Sequence, residues 1–341
     1  MRRVVHWYRR RFLPTAVILL YHRIIDLPSD PYLLSVSPGH FAEHLAVLRN
    51  QSWPISLRKL VDVLREGRIL RRAVVITFDD GYFDNLAYAK PLLERRDIPA
   101  TVFVTPGSLP DAGSEFWWDT LERIMLQPGQ LPQELQLVIG GVPHEWQLGS
   151  VAEYGADDYA RHRSWNYGCA DDPTARHAIF RSVHQLLKVL DPDERRRVLR
   201  DMAIWAGADT SMRPTHRVLS AAETIDLAEG GLVELGAHTM THPVLSKLPV
   251  ARQRNEIRES KVYLEKLLGR SVTSFAYPHG LQADYTQESV QIVRENGFDS
   301  ACVATPGPVR FGVDIHQLPR FVVCDQDGDA FAAQLSTYFK E

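Results

Sequence analysis

Cysteine is scarce in this 341-residue chain, which has only Cys169, Cys302 and Cys324, scattered and with no Cys-x-x-Cys pair. An odd set so spaced points to neither a disulfide framework nor a cysteine zinc site. A dominant sign of charge is also missing. Lys and Arg number 39 against 42 Asp and Glu, a formal net charge of −3, so nothing recommends a nucleic-acid partner. Long hydrophobic runs are absent. The apolar run near the start, Ala16-Val17-Ile18-Leu19-Leu20, is too short to cross a bilayer. It reads as a first strand, and a cleavable signal peptide would remove a strand the fold needs. These absences predict a cytoplasmic protein with no signal peptide and no transmembrane span. No internal repeat or low-complexity block stands out. With 45% hydrophobic and 24% charged residues, the chain is long enough for a large core and is not disordered.

Ahead of that strand, residues 1–14 mix arginine with aromatic residues, as in Arg2-Arg3-Val4-Val5-His6-Trp7-Tyr8-Arg9-Arg10-Arg11. A simple helical or flexible lead-in is the plainer reading. The other is a peripheral contact with the inner face of an anionic membrane, which would make a lipid-linked glycan a plausible substrate.

Two segments carry chemistry. Ala73-Val74-Val75-Ile76-Thr77-Phe78 is a β-branched apolar strand that delivers Asp79-Asp80 to the turn at Gly81. Far downstream, Leu232-Val233-Glu234-Leu235-Gly236-Ala237 runs into His238-Thr239-Met240-Thr241-His242. Each alone is unremarkable, since an Asp-Asp-Gly turn or a lone His-x-x-x-His is usually solvated surface. Together they place Asp, His and His at the carboxyl ends of apolar strands, where parallel α/β folds collect their active sites. Those residue types hold a catalytic divalent metal through three protein ligands and leave one position for water. Histidines four apart lie about 6 Å apart on one face of a helix or tight helical turn, so both rings reach one ion.

Thr77-Phe78-Asp79-Asp80-Gly81 and His238-Thr239-Met240-Thr241-His242 resemble the first and second motifs of the polysaccharide deacetylases, the NodB-homology carbohydrate esterases. Leu20-Tyr21-His22-Arg23-Ile24, Phe275-Ala276-Tyr277-Pro278-His279-Gly280 and Leu318-Pro319-Arg320 are similar to softer motifs of the same family. The resemblance implies an α/β fold, a distorted (β/α) barrel of about seven parallel strands. It also implies metal-dependent removal of the N-acetyl group of an amino sugar in a polysaccharide, oligosaccharide or lipid-linked glycan. By position, Asp79 is the general base that activates metal-bound water. Asp80, His238 and His242 are the ligands of one divalent ion, zinc first, with cobalt and nickel as alternatives. The general acid is His316, with His22 as its rival. Tyr277, Pro278 and His279 join His22 and Arg320 as substrate-binding or supporting residues. Many members carry an arginine where this chain has Ala276, and Arg320 is the candidate replacement for its guanidinium. Hydrolysis of a non-sugar amide and a non-catalytic glycan-binding module are the other readings.

The remaining chain alternates strand and helix signals, as a parallel α/β fold requires. Residues 15–341 read as a single catalytic domain, interrupted at about 108–215 by a mainly helical insertion. Its position after a barrel strand suggests a lid or substrate wall. Within it, Trp117 and Trp118 read first as packing residues and second as a platform for sugar rings.

Overall fold

Seven short apolar segments form one parallel sheet in the computed structural model, which describes residues 15–109, 114–208 and 212–340. They are β1 (Val17–Tyr21), β2 (Ala73–Phe78), β3 (Ala100–Val104), β4 (Val233–Ala237), β5 (Ser274–Ala276), β6 (Ser300–Cys302) and β7 (Phe321–Val322). Their order across the sheet is β6-β5-β4-β3-β2-β1-β7, and a short strand, Trp53–Pro54, pairs with the start of β2. β6 and β7 do not pair directly. The chain leading into β7 bonds to β6 instead, through Leu318 N–H to the Ala301 carbonyl at 2.8 Å and Val303 N–H to the Leu318 carbonyl at 2.9 Å. The barrel is distorted at that seam.

Alternation along each strand divides the core in two. Val17, Leu19 and Tyr21 of β1 pack with Val74, Ile76 and Phe78 of β2 in the larger apolar cluster, which includes helix residues such as Ile257 and Val290. Ala16 and Ile18 face the other way, joining Ala73, Val75, Phe103, Ala276 and Cys302. Both faces of β1 and β2 are buried, so these strands read as unbroken apolar runs. Gly236 in β4 is a steric necessity, because a Cβ there would lie 2.4 Å from the Phe103 ring.

The chain divides into two compact units: residues 1–26, 35–110 and 219–341 form the first, and 27–34 with 111–218 the second. The first holds the sheet. The second has the helices Trp117–Met125, Ala175–Lys188 and Pro192–Trp205, together with strand pairs that the sequence reading did not anticipate. Glu134–Ile139 and Val142–Gln147 form an antiparallel hairpin closed by Gly140-Gly141, both at positive φ as a two-residue turn demands. Trp117 and Trp118 are buried against each other, edge to face at 5.5 Å, with Phe116 stacked on Trp118. They are packing residues.

His177 lies in this second unit, buried against Trp165 at 4.9 Å between ring centroids. Burial, helped by the nearby His162, lowers its pKa from 6.5 to about 4. The unfolded chain therefore takes up this proton first as pH falls. Stability is lost across the window from 6.5 down to about 4, at about 1.4 kcal/mol per pH unit. Thermal melting at pH 7 and pH 4.5 should show a drop that His177→Phe reduces without abolishing, because His184, lowered by burial to about 3, adds to it; an unchanged drop would rule His177 out as a source.

No helix among the described residues is long and apolar enough to cross a membrane. The basic and aromatic segment 1–14 lies outside the described residues.

Candidate active site

The carboxyl ends of β2 and β4 bring four of the expected residues together. Asp80 Oδ1 lies 3.6 Å from His238 Nε2 and 3.3 Å from His242 Nε2, and His238 Nε2 lies 3.9 Å from Asp79 Oδ2. All four are buried.

The local backbone is bent to achieve this. Of the seven described non-glycine residues at positive φ, four are Asp80, Thr239, His242 and His279. Such conformations cost about 1–3 kcal/mol each and persist where the surroundings enforce them. Asp80 is the middle of a three-residue turn, its φ of 76° closed by Gly81 N–H on the Asp79 carbonyl at 3.0 Å. Gly81 itself sits at φ 82°, with no space for strain-free substitution beside Val104. The segment from His238 to His242 is not the helical turn that the spacing suggested. It is a loop curled by left-handed Thr239 and His242, which sets the two rings 4.9 Å apart. Thr239 Oγ1 accepts the His242 N–H at 3.1 Å. Glu256, on the helix Val250–Leu268, accepts the N–H groups of Met240 and Thr241 at 2.9 Å each and the Thr241 hydroxyl at 2.7 Å. This buried brace was not singled out in the sequence, where Glu256 reads as one more helical charge.

The donor set fits a divalent cation. Ligands at about 2.1 Å in a tetrahedral shell stand about 3.4 Å apart, and one atom from each of Asp80, His238 and His242 already lies within 4.8 Å of the others. His238 Nδ1 donates to the Ala276 carbonyl at 2.8 Å, since a carbonyl only accepts. That fixes the tautomer and leaves the Nε2 lone pair toward Asp80, as metal-binding histidines require. Burial lowers the His238 pKa, keeping the ring neutral, and burial also raises that of Asp80, whose charge a cation on the same atoms would restore.

Arg320 reaches Asp79 from β7's side of the sheet. Its Nη1 and Nη2 donate to the two Asp79 oxygens at 2.7 Å each, its Nη1 also to Thr77 Oγ1 at 3.2 Å, and its Nε to the Val303 carbonyl at 3.0 Å. The Thr77 hydroxyl is free to accept because it donates to Leu19 O at 2.8 Å. Arg320 is completely buried. Burial alone would push the Asp79 carboxyl up, but the Arg320 guanidinium, with His238 and His22, brings it down to about 2. Cys302 is buried nearby and its thiol is pushed up to about 12, mainly by that burial, so it is no nucleophile.

His22 and His316 part company here. His22 directly follows β1, and the charges that act on it are Asp80, Asp79, Arg320 and His238; burial nevertheless holds its pKa below the usual value. His316 is not brought to the site. Its Nε2 donates to the Phe298 carbonyl at 3.0 Å and its Nδ1 lies 3.8 Å from Asp314. Phe298 precedes β6, whereas Asp79 follows β2, so in a parallel sheet the two stand at opposite ends. The expectation that His316 donates the proton is therefore corrected. Tyr277 goes with His316, donating its hydroxyl to the His316 carbonyl at 3.0 Å and stacking on Tyr285 at 4.5 Å, so it supports the fold there. Pro278 and His279 turn back toward the site. Gly280 N–H closes on the Pro278 carbonyl at 2.6 Å around His279 at φ 59°, and the His279 ring meets that of His242 at 4.7 Å.

The sequence and the fold have counterparts among known proteins. The polysaccharide deacetylase family model matches residues 67–130 and 209–301. A poly-β-1,6-N-acetyl-D-glucosamine N-deacetylase of Escherichia coli (strain K12) is 32% identical over 101 residues, which are 29% of this chain and 15% of that enzyme. Among solved structures, the Streptococcus pyogenes deacetylase PplD in complex with acetate aligns with a TM-score of 0.59 at 16% identity, over 96% of this chain and 99% of that one. IcaB from Ammonifex degensii aligns with a TM-score of 0.56 at 18% identity, over 94% and 97%. The fold is thus the NodB-type distorted (β/α) barrel. In sequence the chain is similar to the polysaccharide deacetylase family over those two matched stretches, and it spans only a small part of the length of the E. coli relative. His22 and Arg320 both lie outside the stretches the family model matches.

Proposed function

We propose that this protein is a metal-dependent hydrolase that removes the acetyl group from an N-acetylated amino sugar in a polysaccharide, oligosaccharide or lipid-linked glycan. The observation that carries the reading is the convergence of Asp80, His238 and His242 beside an Asp79 clamped by Arg320. The E. coli relative, named for deacetylating a β-1,6-linked N-acetylglucosamine polymer, supports the substrate class. The unit carrying the site is assigned as the catalytic domain, with residues 111–218 inserted into it.

A divalent cation held by Asp80, His238 and His242, zinc foremost with cobalt or nickel able to replace it, supplies a Lewis acid that acidifies water and polarises the amide carbonyl. Asp79, kept ionised and aimed by the Arg320 fork, takes the proton of the attacking water. The new C–O bond forms at the carbonyl carbon. His22, in its protonated form, delivers a proton to the amide nitrogen as the C–N bond breaks, and acetate and a free amine result; because burial lowers its pKa, the rate should fall as pH rises through that lowered value. The low pKa of Asp79 makes it a weak base, which is why acidified water matters to the scheme.

Acetate release from N-acetylglucosamine oligomers, measured before and after chelation and zinc return, tests the proposal. Release should vanish on chelation and recover with zinc; release unaffected by chelation would contradict it. Replacing the acid should also discriminate. His22→Ala is expected to lose about 100- to 10,000-fold in turnover, the usual scale for a removed general acid, while His316→Ala stays close to the parent. The reverse order would restore His316 to the role.

A further inference from the structure

We infer that Asp84 and Asn85, which follow the Asp79-Asp80 pair in sequence, are positioning residues that set the place of the His22 proton donor relative to the base. The inference rests on the reading of His22 as the general acid. Four consecutive residues around His22 are each tied to the segment 79–85. The Tyr21 carbonyl accepts Asp79 N–H at 3.0 Å. The His22 carbonyl accepts Asn85 Nδ2 at 2.9 Å. Arg23 Nε donates to Asp84 Oδ2 at 3.0 Å, and Ile24 N–H to Asp84 Oδ1 at 2.9 Å. The Arg23 guanidinium also lies over the Tyr82 ring at 4.2 Å.

The members of this network are at most 4% exposed, apart from His22 itself, which is only half-buried. Asn85 bonds to the His22 carbonyl and Asp84 to the Ile24 N–H and the Arg23 side chain, all on the carboxyl side of His22, while the Asp79 N–H holds the Tyr21 carbonyl on its other side. The carboxamide therefore holds the peptide that carries the acid, and the carboxylate holds the two residues that follow. Because the same nine-residue stretch, 77–85, also presents Asp79 and Asp80, one piece of backbone fixes base, ligand and acid together. The geometry of the turn contributes. Asn85–Ala89 is a π-turn, with the Lys90 N–H on the Asn85 carbonyl, and such turns recur at functional sites. Pro91, one residue later, has no N–H to give a regular α-turn here.

The test exploits the leaving group. An amide needs its nitrogen protonated, whereas an activated aryl ester such as 4-methylumbelliferyl acetate departs without a proton. Asn85→Ala should lower amide hydrolysis of N-acetylglucosamine oligomers by about 10- to 100-fold, the scale for residues that orient a functional group, with aryl-ester hydrolysis and KM little changed. His22→Ala should show the same selectivity more strongly. Asn85→Gln and Asp84→Asn, which keep part of the network, should fall between Asn85→Ala and the parent. If Asn85→Ala loses both activities equally, or neither, while His22→Ala remains selective, the positioning inference is overturned. If His22→Ala is itself not selective, the reading of His22 as acid fails. A parent that cleaves neither probe contradicts the deacetylase proposal.

Discussion

Asp79→Asn is expected to keep its bound cation and lose about 100- to 10,000-fold in turnover, whereas Asp80→Ala loses cation and turnover together. The two aspartates are neighbours in sequence yet differ in surroundings. Asp80 is the one within 3.3 Å and 3.6 Å of the two imidazoles. Asp79 has both oxygens on Arg320, and its contact with His238 Nε2 is longer, at 3.9 Å. Asparagine at 79 preserves size and one of the two acceptors that face Arg320, but cannot take a proton. Titrating zinc into both variants alongside acetate-release assays separates the roles, and equal loss of zinc by both would show them misassigned.

Arg320→Met should damage stability and rate together. It leaves the buried Asp79 carboxylate without its partner, a loss of about 3–5 kcal/mol in stability when one member of a buried pair is removed. The rate should fall by about 100-fold because the base is no longer aimed. The pH dependence has a definite sign. Asp79 is depressed from 3.8 to about 2 in the folded protein, so its pairing contributes stability above pH 3.8 that is lost as pH falls through about 2. Without Arg320, burial raises the carboxyl instead. The acid limb of kcat/KM that Asp79 controls then moves upward in pH. Arg320→Lys should recover little, since an ammonium cannot form the two-pronged contact. An unshifted acid limb in the methionine variant would refute the orienting role.

Much of the barrel could be read from sequence because its strands are buried on both faces and so appear as apolar runs. β1 and β4 begin and end within one residue of the apolar runs 16–20 and 232–237. The helix Val250–Leu268 is harder to read, because its first turns are too polar to show apolar periodicity. Asp79, Asp80, His238 and His242 were found because their residue types and strand-end positions already limit the chemistry. The shape of the histidine loop was not, since left-handed Thr239 and His242 are imposed by neighbours such as Glu256 rather than by local preference. His316 was misplaced because it lies four residues before Arg320 in sequence, yet it falls at the far end of β6. The hairpin Glu134–Gln147 carries its own signal, alternating Leu135, Leu137 and Ile139 before Gly140-Gly141, but the segments around it are helical in pattern.

The central claim is that Asp80, His238 and His242 hold a catalytic divalent cation. Metal analysis of the purified protein after zinc reconstitution, beside a His238→Ala/His242→Ala variant treated identically, tests it without any guess about substrate. The account predicts close to one zinc per chain in the parent and almost none in the variant. A parent that takes up no zinc, cobalt or nickel, or a variant that retains as much as the parent, would contradict it.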